Sequence, residues 1–200
     1  MDDKTLEKGY QLTFDNAKQL IYDADTLKKN ERYQRAYTLY QLAIEEIGKC
    51  RILWKALIEF YQGREISATY LMKNGFTKHT DKTQKSLLSE LSAIWLYEQT
   101  SGKNLEEMKS QISDDHKNVS GINLLKNRSL YVDIEKSDFV SPVDSITKNM
   151  TDKIEQKAKI RFKAEEPIMK SLPEMKKTAQ NIMNLEKDPE KLKSLLSKYM

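Results

Sequence analysis

Two histidines, His79 and His116, are the whole imidazole supply of this 200-residue chain. Any acid/base chemistry that uses an imidazole near neutral pH must therefore draw on one of them. His79 stands in a polar stretch, Phe76-Thr77-Lys78-His79-Thr80-Asp81-Lys82, whereas His116 follows Asp114-Asp115 as an exposed helix-start residue would. Their separation gives no metal-ligand spacing, and no metal or cofactor is expected. Further along, Lys126-Asn127-Arg128 with Tyr131 and Asp133 gathers two cations, an amide, a phenol and a carboxylate at one helix end. An arginine there suits a phosphate, which its planar fork can clamp, and serves equally well as a structural ion-pair partner. The chain has no Gly-rich phosphate loop and no sign of a serine or cysteine nucleophile, since the single cysteine, Cys50, falls on a packing stripe.

The run Leu42-Ala43-Ile44-Glu45-Glu46-Ile47-Gly48-Lys49 adds a carboxylate in an unusual place. Read every three and four residues, one helix phase gives Ala36, Leu39, Ala43, Glu46, Cys50, Leu53, Leu57 and Phe60. A charge inside an apolar stripe is costly unless something neutralises it. Either a rotation of the helix exposes Glu46, or a buried cation (Arg128 or Lys126) or a backbone donor meets it. Glu45 and Lys49, spaced i,i+4, read as a surface pair worth about 0.3–0.5 kcal/mol. Gly48 costs roughly 1 kcal/mol of helix propensity, which points to close approach of another backbone.

These groups need elements to position them, and the periodicity predicts helices. A first helix is expected over about 5–28, with Phe14, Ala17, Leu20, Ile21, Ala24 and Leu27 on one face. A second, about 31–62, carries the Glu46 stripe beside another (Tyr33, Tyr37, Tyr40, Ile44, Ile47, Arg51, Trp54, Ile58, Tyr61), as a central bundle member would. Asn74-Gly75 marks a turn, and a third helix follows over about 81–99, its face Leu87, Leu88, Leu91, Ile94, Trp95 and Glu98. Shorter pieces begin near Asn104 and Asp115. Leu130-Tyr131-Val132-Asp133-Ile134 reads as an extended segment closing the bundle. Pro142 starts a long helix over about 143–165, Pro167 and Pro173 interrupt it, and two more pieces follow, the last around Leu192, Leu195, Leu196 and Tyr199. The expectation is an all-α bundle core over 1–142, then a long helix with a basic helical tail over 143–200.

Composition bounds the function. Charged residues make up 32% and mean hydropathy is −0.72. No apolar run approaches the roughly 20 residues of a membrane span. The start, Met1-Asp2-Asp3-Lys4, lacks the basic-then-apolar layout of a secretory signal, so a cytoplasmic protein without a membrane partner is expected. Residues 1–144 carry 21 Lys+Arg against 22 Asp+Glu, and residues 145–200 carry 13 against 8. Such a basic end attracts nucleic acid through counterion release, or is simply a solvated lysine-rich face.

Taken together, several runs resemble the AbiV family of bacterial abortive-infection proteins, part of the HEPN superfamily of helical bundles. They are Asn16-Ala17 with Leu20 and Ala24, Arg35-Ala36 with Leu39, Ala43 and Glu45-Glu46-Ile47-Gly48-Lys49, Phe76 with His79 and Lys82, and Lys126 with Leu130-Tyr131-Val132-Asp133 and Pro142. The resemblance covers about residues 10–165. It implies a HEPN-like bundle of four to five helices with a C-terminal helical extension, commonly a homodimer, used in phage defence. Many HEPN proteins are metal-independent ribonucleases with an Arg, four to six residues, then His. This chain departs from that pattern, because the residue five beyond Arg128 is Asp133 and no histidine follows Arg128. Either His79 supplies the imidazole from elsewhere, or Asp133 forms a variant site with Tyr131 or Lys126, or the protein binds without cutting. The leading expectation is a toxin that acts on RNA or translation. Arg128, His79, Asp133 and Glu46 are its catalytic candidates, and Lys126, Asn127, Lys49 and Tyr131 its RNA contacts. A phage-encoded activator is a further expected partner. The alternative is a non-catalytic protein that inhibits translation by binding ribosome, RNA or a phage protein.

Overall fold

A computed structural model describes residues 1–186 of the chain. The sequence-predicted piece around Leu192 and Leu195 lies outside the described residues. Helix α1 (Asp3–Lys29) opens on Asp2, whose carboxylate accepts from the Thr5 N–H, and ends with Lys28 and Lys29 at the negative end of the helix dipole. Its buried residues include Leu6, Tyr10, Phe14, Ala17, Ile21 and Ala24. Helix α2 (Tyr33–Tyr61) is covered on nearly every side, and within it only Arg35 and Lys55 are exposed. Two apolar clusters run along this pair, one with Leu6, Phe14, Leu53 and Leu57, the other with Ile21, Tyr40 and Ile44.

After α2 the chain turns back. Short helix α3 (Ala68–Lys73) is capped by Ser67, and the turn at Asn74-Gly75 needs φ +95° at Gly75. This return brings the Phe76 ring within 5.3 Å of the Lys49 ammonium. Helix α4 (His79–Ser101) then crosses Gly48 so closely that a Cβ there would stand 1.9 Å from the Lys82 carbonyl oxygen. The second backbone that Gly48 implied is therefore α4.

The expected apolar face of α4 is only half inside. Leu87 and Ile94 are buried, but Leu88, Leu91 and Trp95 look outward. What α4 turns inward is polar: Lys82, Thr83, Ser86, Ser89 and Glu90 are all buried. That inversion is tolerable because each buried charge finds a partner of opposite sign, as the site below shows. Helices α5 (Glu106–Lys117) and α6 (Val119–Arg128) meet at Asn118.

Strands β1 (Asp133–Glu135) and β2 (Asp138–Val140) form an antiparallel hairpin with Ile134 opposite Phe139. Its two-residue turn, Lys136-Ser137, has φ of +50° and +70°, the sense that matches strand twist. The extended segment is thus present, but it does not close the bundle. Tyr131, Val132, Ile134 and Phe139 are all exposed, because the hairpin projects from the end of α6. Pro142 starts only one turn, α7 (Pro142–Ser145), held by a capping box between Ser141 and Asp144. Ile146 is extended, and Thr147 caps the long helix α8 (Lys148–Ser171).

Pro167 does not interrupt α8, contrary to the sequence expectation. A mid-helix proline forfeits a hydrogen bond and crowds the carbonyl four residues earlier. Here Phe162, Ile168 and Met169, on either side of it, pack on the α1–α2 cluster and hold the helix through it. A 3₁₀ turn over Leu172–Glu174 then leads to α9 (Met175–Glu186). With Ile154, Ala158, Arg161 and Glu165 buried, α8 completes an all-α bundle around α2, and α9 is its C-terminal extension.

Candidate functional site

The buried anion of α2 is Glu45, not Glu46. Glu45 is 2% exposed and has three partners from two other helices. Its Oε1 accepts from Lys126 Nζ at 2.8 Å; its Oε2 lies 3.0 Å from Lys82 Nζ and 2.5 Å from His79 Nδ1. Burial pushes the carboxyl pKa up, but the hydrogen bonds from Lys126, His79 and Lys82 outweigh it and hold the group below its ordinary range. Glu46 is half-buried and pairs within its own helix, Lys49 Nζ to Oε1 at 2.6 Å. The expected i,i+4 pair of Glu45 with Lys49 is accordingly replaced by an i,i+3 pair one residue along.

The reason lies in the third face of α2. Thr38, Gln41, Glu45, Gly48 and Ile52 recur every three or four residues, and all five are buried. By residue type this stripe reads as the solvent side, whereas it is the side that meets α4 and α6. Thr38 Oγ1 lies 2.5 Å from Ser129 Oγ, and Gln41 Nε2 donates to Thr83 Oγ1 at 3.0 Å. The signal that could have found Glu45 was Gly48, three residues on and on the same face. A glycine that admits a neighbouring backbone marks the face where that neighbour lies.

His79 is the exposed member of the cluster. It is the first residue of α4, its side chain is 53% exposed, and Glu45 fixes the ring through Nδ1. A carboxylate on Nδ1 fixes the plane of the ring, as the buried carboxylate does for the histidine of a catalytic triad. Lys82 and Lys126 are both buried, so they neutralise Glu45 rather than present charge to solvent. Lys126 therefore lies beneath the surface as described, not on it as an expected RNA contact.

Arg128 points elsewhere. Its Nε donates to Asp133 Oδ2 at 3.3 Å and its Nη1 lies 3.4 Å from Glu135 Oε2, tying α6 to the hairpin. Nothing among the described residues joins Arg128 to the Glu45 cluster. The structure thus brings His79 and Lys126 together through Glu45, while Arg128 and Asp133 form a separate pair. Asn127 and Tyr131 are exposed, and Lys49 sits half-buried between Glu46 and Phe76. His116 ends up in the last turn of α5, its Nε2 2.6 Å from Gln84 Nε2.

A second ionic network lies deeper and fixes α4 in place. Fully buried Glu165 accepts from Tyr10 Oη at 2.5 Å and Ser89 Oγ at 2.6 Å, and pairs with Arg51. Arg161, 2% exposed, donates to Glu90 Oε2 at 2.8 Å, Ser86 Oγ at 3.0 Å and Asp115 Oδ2 at 3.2 Å. These contacts join α1, α2, α4, α5 and α8, tying the middle of the His79 helix to four other helices. Cys50 is buried on its packing stripe, with its thiol pushed well up by burial, which makes it a poor nucleophile.

Comparison with known proteins adds a family. The profile described as AbiV, of the HEPN group, matches residues 5–162, a span that contains Glu45, His79, Lys126 and Arg128. No curated protein and no solved structure matches the chain.

Proposed function

The chain belongs to the AbiV family of HEPN proteins, and from that premise we propose that it is a phage-defence toxin that acts on RNA through His79. The single observation that carries this reading is the Glu45–His79 contact. A fully buried carboxylate lies 2.5 Å from Nδ1 of an imidazole whose side chain is half exposed to solvent. In this reading Nε2 takes the proton of a ribose 2′-hydroxyl, and the 2′ oxygen attacks the adjacent phosphorus. The bond to the 5′ oxygen breaks, and that oxygen leaves with a proton from water. The products are a 2′,3′-cyclic phosphate and a 5′-hydroxyl end.

Arg128 is the candidate phosphate-holding cation. Because Asp133 and Glu135 already flank it, it takes a phosphate by exchanging those partners. The outward stripe of α4, with Leu88, Leu91 and Trp95, is apolar and suits a second copy of the chain. A homodimer formed there would set two His79-bearing helices against each other. A toxin carried by its own host also needs restraint, so a trigger made by the phage is the remaining partner of this reading.

A second reading, inhibition of translation by binding alone, draws on the hairpin, whose Tyr131, Val132, Ile134 and Phe139 offer an apolar surface to a partner. Total RNA from cells induced to express the protein separates the two. Discrete fragments that vanish with His79→Ala, in a variant that still folds, support the nuclease. Growth arrest with intact RNA supports the binder.

A further inference from the structure

Most of the large apolar side chains that the fold leaves exposed gather in two places, the outward stripe of α4 and the hairpin with its flanks. Side chains alternate along a strand. Ile134 and its cross-strand partner Phe139 therefore share one face of the hairpin, and Asp133, Glu135 and Asp138 lie on the other. Ile134 is 63% and Phe139 75% exposed, so the apolar face is bare among the described residues. A two-stranded hairpin left uncovered is marginal in water. On the acidic face Arg128 holds Asp133 and Glu135, whereas Asp138 has no ion-pair partner among the described residues and meets the N–H of Phe139.

The α4 stripe borders a groove of about 460 Å³ between α4 and α5. Leu87, Leu88, Leu91 and Ile112 make its floor apolar. Its lining contains Lys85, Lys109 and Lys117 and no carboxylate. Glu98, Glu106 and Asp114 pair with Lys109 and Lys117, but Lys85, one turn before Leu88, has no ion-pair partner among the described residues.

One chain thus carries an apolar projection with an acidic back and an apolar groove with a cationic rim. Two copies can bring these surfaces together in three ways. Hairpin on hairpin sets acid against acid, and groove on groove sets cation against cation. Hairpin in groove alone pairs opposite charges. A twofold axis makes that contact twice. The doubling matters, because a stable interface takes roughly 20–30 residues a side and the two strands supply six.

We propose that each copy of the chain seats its hairpin in the α4–α5 groove of a second copy. Ile134 and Phe139 cover Leu88 and Leu91, and Asp138 pairs with Lys85. This interface rests on the homodimer read above and is independent of RNA cleavage.

Sedimentation and directed cross-linking of the full-length chain test it. Wild type sediments as a dimer. Phe139→Asp weakens that dimer at least tenfold and keeps the melting temperature, since Phe139 is exposed in the single chain. Lys85→Glu and Asp138→Lys each weaken it at least fivefold, and the double variant recovers most of the loss. Differently tagged copies, one with Phe139→Cys and the other with Leu91→Cys, join by a disulfide under mild oxidation, while buried Cys50 stays out of the reaction. A monomeric wild type overturns the homodimer and this interface together. A dimer that is indifferent to Phe139→Asp, that the charge exchange does not restore, or that forms no disulfide between the tagged copies leaves the homodimer standing and overturns the hairpin-in-groove contact.

Discussion

Replacing Glu45 by alanine should destabilise the bundle far more than the same change at Glu46. Glu45→Ala leaves Lys82 and Lys126 buried without a counter-charge. Removing one partner of a buried pair in this way costs about 3–5 kcal/mol. Glu46, half-buried, meets Lys49 alone among the described residues, and that i,i+3 ammonium keeps contact with solvent, so the pair is worth about 1 kcal/mol or less. For a chain of this size each kcal/mol moves the melting temperature by about 2–4 °C, so the first variant should lose about 6–20 °C and the second at most about 4 °C. His79→Ala provides the internal control, since Glu45 keeps both lysines and the fold should hold. A double-mutant cycle of Glu45→Gln with Lys126→Met should show coupling of about 0.5–3 kcal/mol. Calorimetric melting of the set, with circular dichroism to confirm helix content, is the assay. A native melting temperature in Glu45→Ala, or a larger loss in Glu46→Ala, would refute the assignment of the buried anion.

Three further outcomes follow from the same geometry. Glu45 titrates below its ordinary value of 4.5 in the folded state, so the unfolded chain binds its proton first as pH falls. The stability that the carboxylate contributes is therefore full at neutral pH and fades as pH drops below that value; urea melts of wild type and Glu45→Gln should converge in acid. Gly48→Ala should lower stability although alanine is the better helix former by about 1 kcal/mol; a raised melting temperature would show that α4 does not lie on Gly48. Replacing Lys136-Ser137 by Asn-Gly should stabilise the hairpin, because both positions have positive φ, and slower amide exchange at the cross-strand pair of Ile134 and Phe139 is the readout.

Where the sequence succeeded and failed has a physical pattern. The helices were legible because their apolar residues recur at helical spacing, and α2 stood out as central because it carries two such stripes. Glu45 was missed because its stripe, with Thr38, Gln41 and Gly48, is polar or small and looks like a solvent face. The inward side of α4 hid for the same reason: Lys82, Ser86, Ser89 and Glu90 are buried in ion pairs and hydrogen bonds that residue type alone cannot reveal. The hairpin was visible as extended chain but not as a hairpin, since Lys136-Ser137 lacks the Asn-Gly signal of such turns. Pro167 misled because a local rule was overridden by packing on both sides of it. The resemblance to AbiV is independent of these orientations, since it rests on runs of residues rather than on which way each one points.

In the proposed reaction Glu45 positions His79 to take the proton of the attacking 2′-hydroxyl, and product analysis with purified protein tests this most directly. Incubated with end-labelled single-stranded RNA, the wild-type chain should yield 2′,3′-cyclic phosphate and 5′-hydroxyl ends. His79→Ala, folded as judged by its melting curve, should lose about 10²–10⁴-fold in rate, the share that a general base supplies. Equal cleavage by wild type and His79→Ala, or intact RNA with both, would contradict the account.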